Sequence, residues 1–234
     1  MTDQLQLKML LQELNCRTPV DAITPEASPA IVEFLQHEKQ HRAQYRIQRL
    51  LASCGIQKHQ IRTFEQYDWE FNPKIPKQDI LAFRNSPWVD NAANLTLIGD
   101  PGIGKSHIAK ALCFDAISNG HATYFTSAFD LLAKIKNARF PENKIEHFGR
   151  KVTVLCIDEL GYTFHQKEDA DLLFQIFSKR SEVLPTIVTS NLRPKQWGSI
   201  FSGPAASAIL DRLSFNGKFL VWEAKVSYRA HAKQ

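Results

Sequence analysis

The stretch LTLIGDPGIGKSHIAKAL, residues 95–112, decides the fold. An apolar run at 95–98 leads into a glycine-rich turn that fits G-x-x-x-x-G-K-[ST], and a helical pattern starts at Lys105. Gly99, Gly102 and Gly104 let the backbone curl until successive N–H groups converge on phosphate oxygens, while the helix N-terminus adds partial positive charge. Lys105 is placed to reach β- and γ-phosphates, and the Ser106 hydroxyl to ligate magnesium. The expected cradle for ATP and Mg2+ therefore comprises Gly99, Asp100, Pro101, Gly102, Ile103, Gly104, Lys105, Ser106 and His107.

A glycine-rich turn can match such a pattern by chance, so a second motif matters. In KVTVLCIDELG, residues 151–161, a β-rich run ends in two carboxylates, Asp158 and Glu159. Both fall at the carboxyl edge of the expected sheet, where ligands of open α/β sheets bind. Asp158 is expected to hold magnesium, and Glu159 to act as general base or water-orienting group at the γ-phosphate. A third strand, PTIVTSN at 185–191, ends in Asn191. That side chain is either a turn former or a contact for the attacking water or γ-phosphate.

Between these motifs strand and helix patterns alternate. Further strands are predicted at 122–126 and 152–157, and helices at 105–119, through Leu131 and Leu132, and at 171–180. The strands are near-continuous apolar runs, as expected where helices cover both faces of a parallel sheet. Upstream, Leu7, Leu10, Leu11 and Leu14 make the stripe of a short helix, and a longer helix is expected from about Pro29 to Ser53, ahead of Gly55. Residues 1–62 thus read as a small all-α module and 63–234 as an α/β ATPase domain. Its first segment, TFEQYDWEFNPKIP at 63–76, reads as an extended, aromatic connector.

Composition narrows the class. The 234 residues are 44% hydrophobic and 23% charged, as in soluble globular proteins. No run approaches the roughly 18 apolar residues of a membrane span, and the N-terminus lacks a basic-then-apolar signal pattern, so a cytoplasmic protein with no membrane association is expected. The four cysteines are widely spaced, which indicates neither a zinc site nor a disulfide framework. Net charge is +5, and the window 36–62 alone carries as much, with Lys39, Arg42, Arg46, Arg49, Lys58 and Arg62 against Glu38. Arg42, Arg46 and Arg49 at i, i+4 and i+7 make either a solvated helix face or a basic ridge suited to a phosphate backbone. Lys134, Lys136 and Arg139 are secondary candidates for phosphate contacts.

With these elements in order, the chain resembles the IstB-like helper ATPases of insertion-sequence transposition, relatives of the DnaC-type helicase loaders. The likeness rests on TFEQYDWEFNP, GDPGIGKSHIAKAL, IDELGY, DADLLFQIFSKR, TIVTSN, WGSIF, ILDRL and SYR. It implies an AAA+ P-loop fold in which ATP lies between subunits of a homo-oligomer. By position it makes Asn191 the sensor of the γ-phosphate, Arg212 the finger offered to a neighbour, and Arg229 a second sensor within its own subunit. Read alone, either arginine would be a surface ion-pair residue. The resemblance also places the connector by the adenine ring, where Tyr67, Trp69 or Phe71 would stack unless they serve core packing. Serine at 106 stands where threonine is commoner in the family; both carry the hydroxyl. The resemblance favours the DNA reading of the basic ridge: duplex DNA held with little sequence preference, a transposase as partner, and ATP hydrolysis to reset the assembly. A helicase loader of the DnaC type is the alternative, and a P-loop protein that uses nucleotide as a switch without turnover is a third reading.

Overall fold

Five apolar runs become strands: β1 (Asn94–Gly99), β2 (Thr123–Ser127), β3 (Val154–Asp158), β4 (Thr186–Ser190) and β5 (Gly217–Trp222). In this computed structural model, which describes residues 3–161, 167–199, 201, 203–223 and 228, they form one parallel sheet in the order β2-β3-β4-β1-β5. Every residue of β1, β3 and β4 is buried, which is why these strands show no in-out alternation in the sequence.

Eight helices accompany them among the described residues: α1 (Asp3–Glu13), α2 (Ser28–Ser53), α3 (Lys77–Asn85), α4 (Lys105–Ser118), α5 (Ala128–Lys136), α6 (Pro141–Glu146), α7 (Lys167–Arg180) and α8 (Gly203–Ser214). Leu155, Ile157 and Val188 face a core shared with α5, α7 and α8, including Leu131, Leu173, Ile176 and Ile209. Cys156, between Leu155 and Ile157, must point to the other face, where its thiol meets Cys113 of α4. The sheet is therefore covered on both sides. Cys54, Cys113 and Cys156 are buried free thiols and Cys16 is exposed.

The chain divides into two compact units, Met1–Arg49 and Leu50–Gln234. In the first, the predicted leucine stripe of α1 packs with Leu35, Val20, Ile23, Ile31 and Val32. In the second, the Cys54 carbonyl accepts the Phe125 N–H at 2.7 Å, tying residues just after α2 to the outer edge of β2. The connector is irregular apart from a 3-10 turn at Phe64–Gln66.

Four elements lie outside the strands and helices that patterning predicts: α3, α6, α8 and β5. β5 is an edge strand in which only Leu220 and Trp222 are buried, although residues 219–222 form an unbroken apolar run. α3 follows a proline-rich stretch and is short. Buried Arg180, at the end of α7, is a further surprise. Its guanidinium donates to Thr186 Oγ1 (3.0 Å) and to the carbonyls of Phe148 (2.7 Å), Val152 (2.8 Å), Thr153 (2.9 Å) and Pro185 (2.5 Å). Burial pulls its pKa down to about 9, still high enough to keep the charge near neutrality. Arg180 thus fastens α7 to the segments that enter β3 and β4.

Candidate nucleotide site

The turn after β1 carries the site. Gly104 caps α4 in the left-handed region at φ 94°, and a side chain there would put Cβ 2.4 Å from the Tyr67 hydroxyl. Only glycine fits both the turn and the neighbour. Lys105 follows with 7% of its surface exposed, and its ammonium donates to the carbonyls of Gly99 and Asp100, both at 2.7 Å. The charge thus lies within the loop whose N–H groups it complements.

Across the crevice stands the acid pair, where the sequence places it. The Ser106 hydroxyl donates to Asp158 Oδ1 at 2.9 Å, and the same oxygen accepts the hydroxyl proton of Thr189 on β4. Glu159 is exposed, with φ 59°, and its N–H donates to Thr189 Oγ1 at 3.0 Å. Leu160 N–H donates to the Thr189 carbonyl at 2.8 Å, and Ser190 Oγ to the Leu160 carbonyl at 2.6 Å. Asn191, partly exposed, follows β4 directly. A serine hydroxyl touching a carboxylate is the hard oxygen pair that suits magnesium.

On the outer side, a cavity of about 320 Å³ is lined by Gly102, Lys105, Ser106 and His107 and by Tyr67, Phe71 and Tyr228, among others. Of the three connector aromatics, Tyr67 and Phe71 therefore reach the phosphate loop. Trp69 stacks on Phe64 and tilts against Tyr67, with the Lys77 ammonium 5.5 Å above its ring. The Tyr67 hydroxyl donates to the Ile103 carbonyl at 3.1 Å, and burial, aided by Asp68, pushes its pKa up to about 12. His107 Nε2 donates to the Thr63 carbonyl at 2.9 Å, and its ring meets Tyr67 edge-on at 5.1 Å. Burial holds this imidazole below its ordinary pKa. Tyr228 donates its backbone N–H to the Gly102 carbonyl at 3.0 Å and packs edge-on against Phe71. The connector and Tyr228 both grip the phosphate loop.

Other expected residues fall elsewhere. Arg212 does not line this cavity; its guanidinium lies 5.0 Å from the Phe174 ring centre and donates to Ser178 Oγ at 3.0 Å and to the Ala208 carbonyl at 3.3 Å. Arg229 lies outside the described residues. In the first unit, Arg42 donates to Glu38 at 2.6 Å and to the Leu14 carbonyl at 2.9 Å, so it serves the end of α1, while Arg46 and Arg49 are exposed. In the second unit, Lys134 bonds the Tyr124 hydroxyl, Lys136 pairs with Asp169, and the Arg139 guanidinium sits 5.3 Å from the Phe140 ring centre. Thr189 is the site residue that patterning missed; its signal is a hydroxyl in an apolar strand. No helix among the described residues is long and apolar enough to cross a membrane.

Comparison with known proteins agrees with this geometry. The family described as IstB-like ATP binding protein matches residues 1–234. The insertion sequence IS232 ATP-binding protein of Bacillus thuringiensis subsp. berliner is 34% identical over 218 residues, 90% of this chain and 85% of the relative. The replicative helicase loader DnaC of Escherichia coli K12 is 25% identical over 199 residues, 82% of this chain and 79% of the loader. Among solved structures, DnaI superposes with a TM-score of 0.61 at 19% identity, covering 71% of this chain and 95% of that one. The parallel sheet with its flanking helices is thus the AAA+ P-loop fold.

Proposed function

As the chain belongs to the family of IstB-like ATP binding proteins, we propose that it is an ATP-hydrolysing, DNA-binding helper of transposition. In this reading it assembles on duplex target DNA with ATP bound, recruits or stimulates a transposase, and hydrolyses ATP to reset. The observation that carries the ATPase part is the contact of Ser106 with Asp158 at 2.9 Å, which joins phosphate loop and acid pair while Glu159 stands exposed beside them.

ATP lies along the loop from Gly99 to His107, its base toward Tyr67 and Phe71. Ser106 and Asp158 would hold magnesium, which when bound supplies positive charge to the phosphate oxygens. Lys105 swings its ammonium from the loop carbonyls to the β- and γ-phosphates. The Glu159 carboxylate takes a proton from water as the water oxygen bonds to the γ-phosphorus; the bond to the β–γ bridging oxygen breaks, leaving ADP and phosphate. Asn191 senses the γ-phosphate, Arg229 acts on the nucleotide of its own subunit, and Arg212 serves a neighbour's, since a guanidinium grips phosphate oxygens with a planar fork.

DNA is held through charge rather than base edges, by Arg46 and Arg49 with Arg42 beside them, and by Lys134, Lys136 and Arg139 in the ATPase unit. Arg42, Lys134, Lys136 and Arg139 must give up their present partners to do so. The protein works in the cytoplasm.

Sedimentation with ATP and magnesium, with and without a sequence-neutral duplex of several tens of base pairs, tests this. A large ATP-dependent assembly on duplex supports the reading, and a monomer indifferent to duplex removes it. The 25% identity to DnaC favours a helicase loader as the second reading; such a protein would shift with a replicative helicase and prefer single strands.

A further inference from the structure

The geometry points to Thr189 as a positioning residue that aligns the acid pair, an inference that rests on the ATPase reading above. Its side chain is fully buried at the carboxyl end of β4, between β3 and β1. One hydroxyl does two things. It gives its proton to Asp158 Oδ1, the same oxygen that Ser106 reaches at 2.9 Å, and it accepts the Glu159 N–H at 3.0 Å.

The second bond has a conformational consequence. Glu159 has φ 59°, a left-handed backbone that a residue with a long side chain seldom adopts. Such a conformation persists where the surroundings over-determine it. Here they do: Thr189 Oγ1 holds the N–H of Glu159, the Thr189 carbonyl holds the N–H of Leu160, and Ser190 Oγ holds the Leu160 carbonyl. The left-handed turn exposes Glu159 while the residues on either side, Asp158 and Leu160, stay buried. Thr189 therefore fixes both members of the pair relative to each other. It aims the Asp158 carboxylate at Ser106, and it sets the backbone from which Glu159 meets water.

A purely packing role for Thr189 would be met by valine, which has the same shape and favours strands. The hydroxyl role would not. The test compares wild type, Thr189→Val, Thr189→Ser and, should valine impair folding, Thr189→Ala, in the full chain. The first readout is affinity for a fluorescent ATP analogue with magnesium and with EDTA. Thr189→Val should lose most of the magnesium-dependent gain in affinity, several-fold or more, with EDTA values unchanged, and Thr189→Ser should recover most of it. The second readout is steady-state hydrolysis, where Thr189→Val should lower kcat at least tenfold with little change in KM.

If valine keeps the full magnesium-dependent gain and kcat, Thr189 is packing and the proposal fails. It fails equally if serine behaves as badly as valine. Absence of turnover in wild type would instead overturn the ATPase reading, and the binding comparison would still decide the role of the hydroxyl.

Discussion

Tyr67 excludes any side chain at Gly104: the tyrosine hydroxyl and ring occupy the space that a Cβ at 104 would need, the hydroxyl at 2.4 Å and a ring carbon at 2.6 Å. The connector thus closes on the phosphate loop at its tightest point. Gly104→Ala combines this clash with a strained φ of 94° and should cost on the order of 1–3 kcal/mol of stability. It should also weaken ATP binding at least tenfold, read by titration of a fluorescent analogue. Tyr67→Phe, which removes only the bond to the Ile103 carbonyl, should cost about 1 kcal/mol.

Glu159→Gln keeps the shape of the exposed side chain and removes the base. Turnover should drop by about 100-fold or more with nucleotide affinity retained, measured by phosphate release and by binding under the same conditions. Unchanged turnover would show that another group activates the water.

Arg180→Met leaves four carbonyls and a threonine hydroxyl without their donor inside the core. A loss of about 1–3 kcal/mol in urea unfolding is expected, the cost of buried acceptors left without a donor, partly offset by removing a desolvated charge. Arg180→Lys should rescue little, since an ammonium cannot reach acceptors spread around a planar fork.

The pH dependence of stability follows from His107. Its folded pKa lies below the ordinary 6.5, so the unfolded chain binds the extra proton first as pH falls. The stabilising contribution is complete above about pH 6.5 and is lost progressively as pH drops toward and through the folded value. His147, also lowered by burial, adds to the trend in the same direction. Thermal melts between pH 7.5 and 5 should show a falling Tm, and His107→Gln, which keeps a donor for the Thr63 carbonyl, should flatten the fall. An equal slope in both proteins would remove His107 from the account.

Arg212 is tested by mixing. Arg212→Ala subunits and Lys105→Ala subunits should each be inactive, and a mixture should regain part of the hydrolysis at interfaces that pair an intact loop with an intact finger. No recovery at any ratio would confine Arg212 to its place on Phe174 and Ser178.

Much of this was legible in the chain. β1, β3 and β4 are buried on both faces, so their apolar runs are unbroken, and the two motifs sit at strand ends where composition changes abruptly. What escaped depends on partners distant in sequence. Arg180 looks like one more basic residue ending a helix, a place where cations are ordinary; nothing local says that five acceptors from two other segments surround it. Thr189 differs from the apolar residues before it by a single hydroxyl. Arg42 fits a basic ridge by spacing, yet it turns to Leu14 because a helix end supplies unpaired carbonyls.

The strand order has one more consequence. β1, which delivers the phosphate loop, and β3, which delivers the carboxylates, are not neighbours, because β4 runs between them. Two inter-strand steps, about 9–10 Å, therefore separate the backbones of β1 and β3, and the Ser106 and Asp158 side chains close that gap at 2.9 Å. The body of β4 acts as a gauge block: Ile187 and Val188 meet neither phosphate nor acid, yet their register against Leu95, Thr96, Cys156 and Ile157 sets that span. Residues that never touch the nucleotide should therefore be nearly as intolerant of bulk or slippage as the motifs they keep apart.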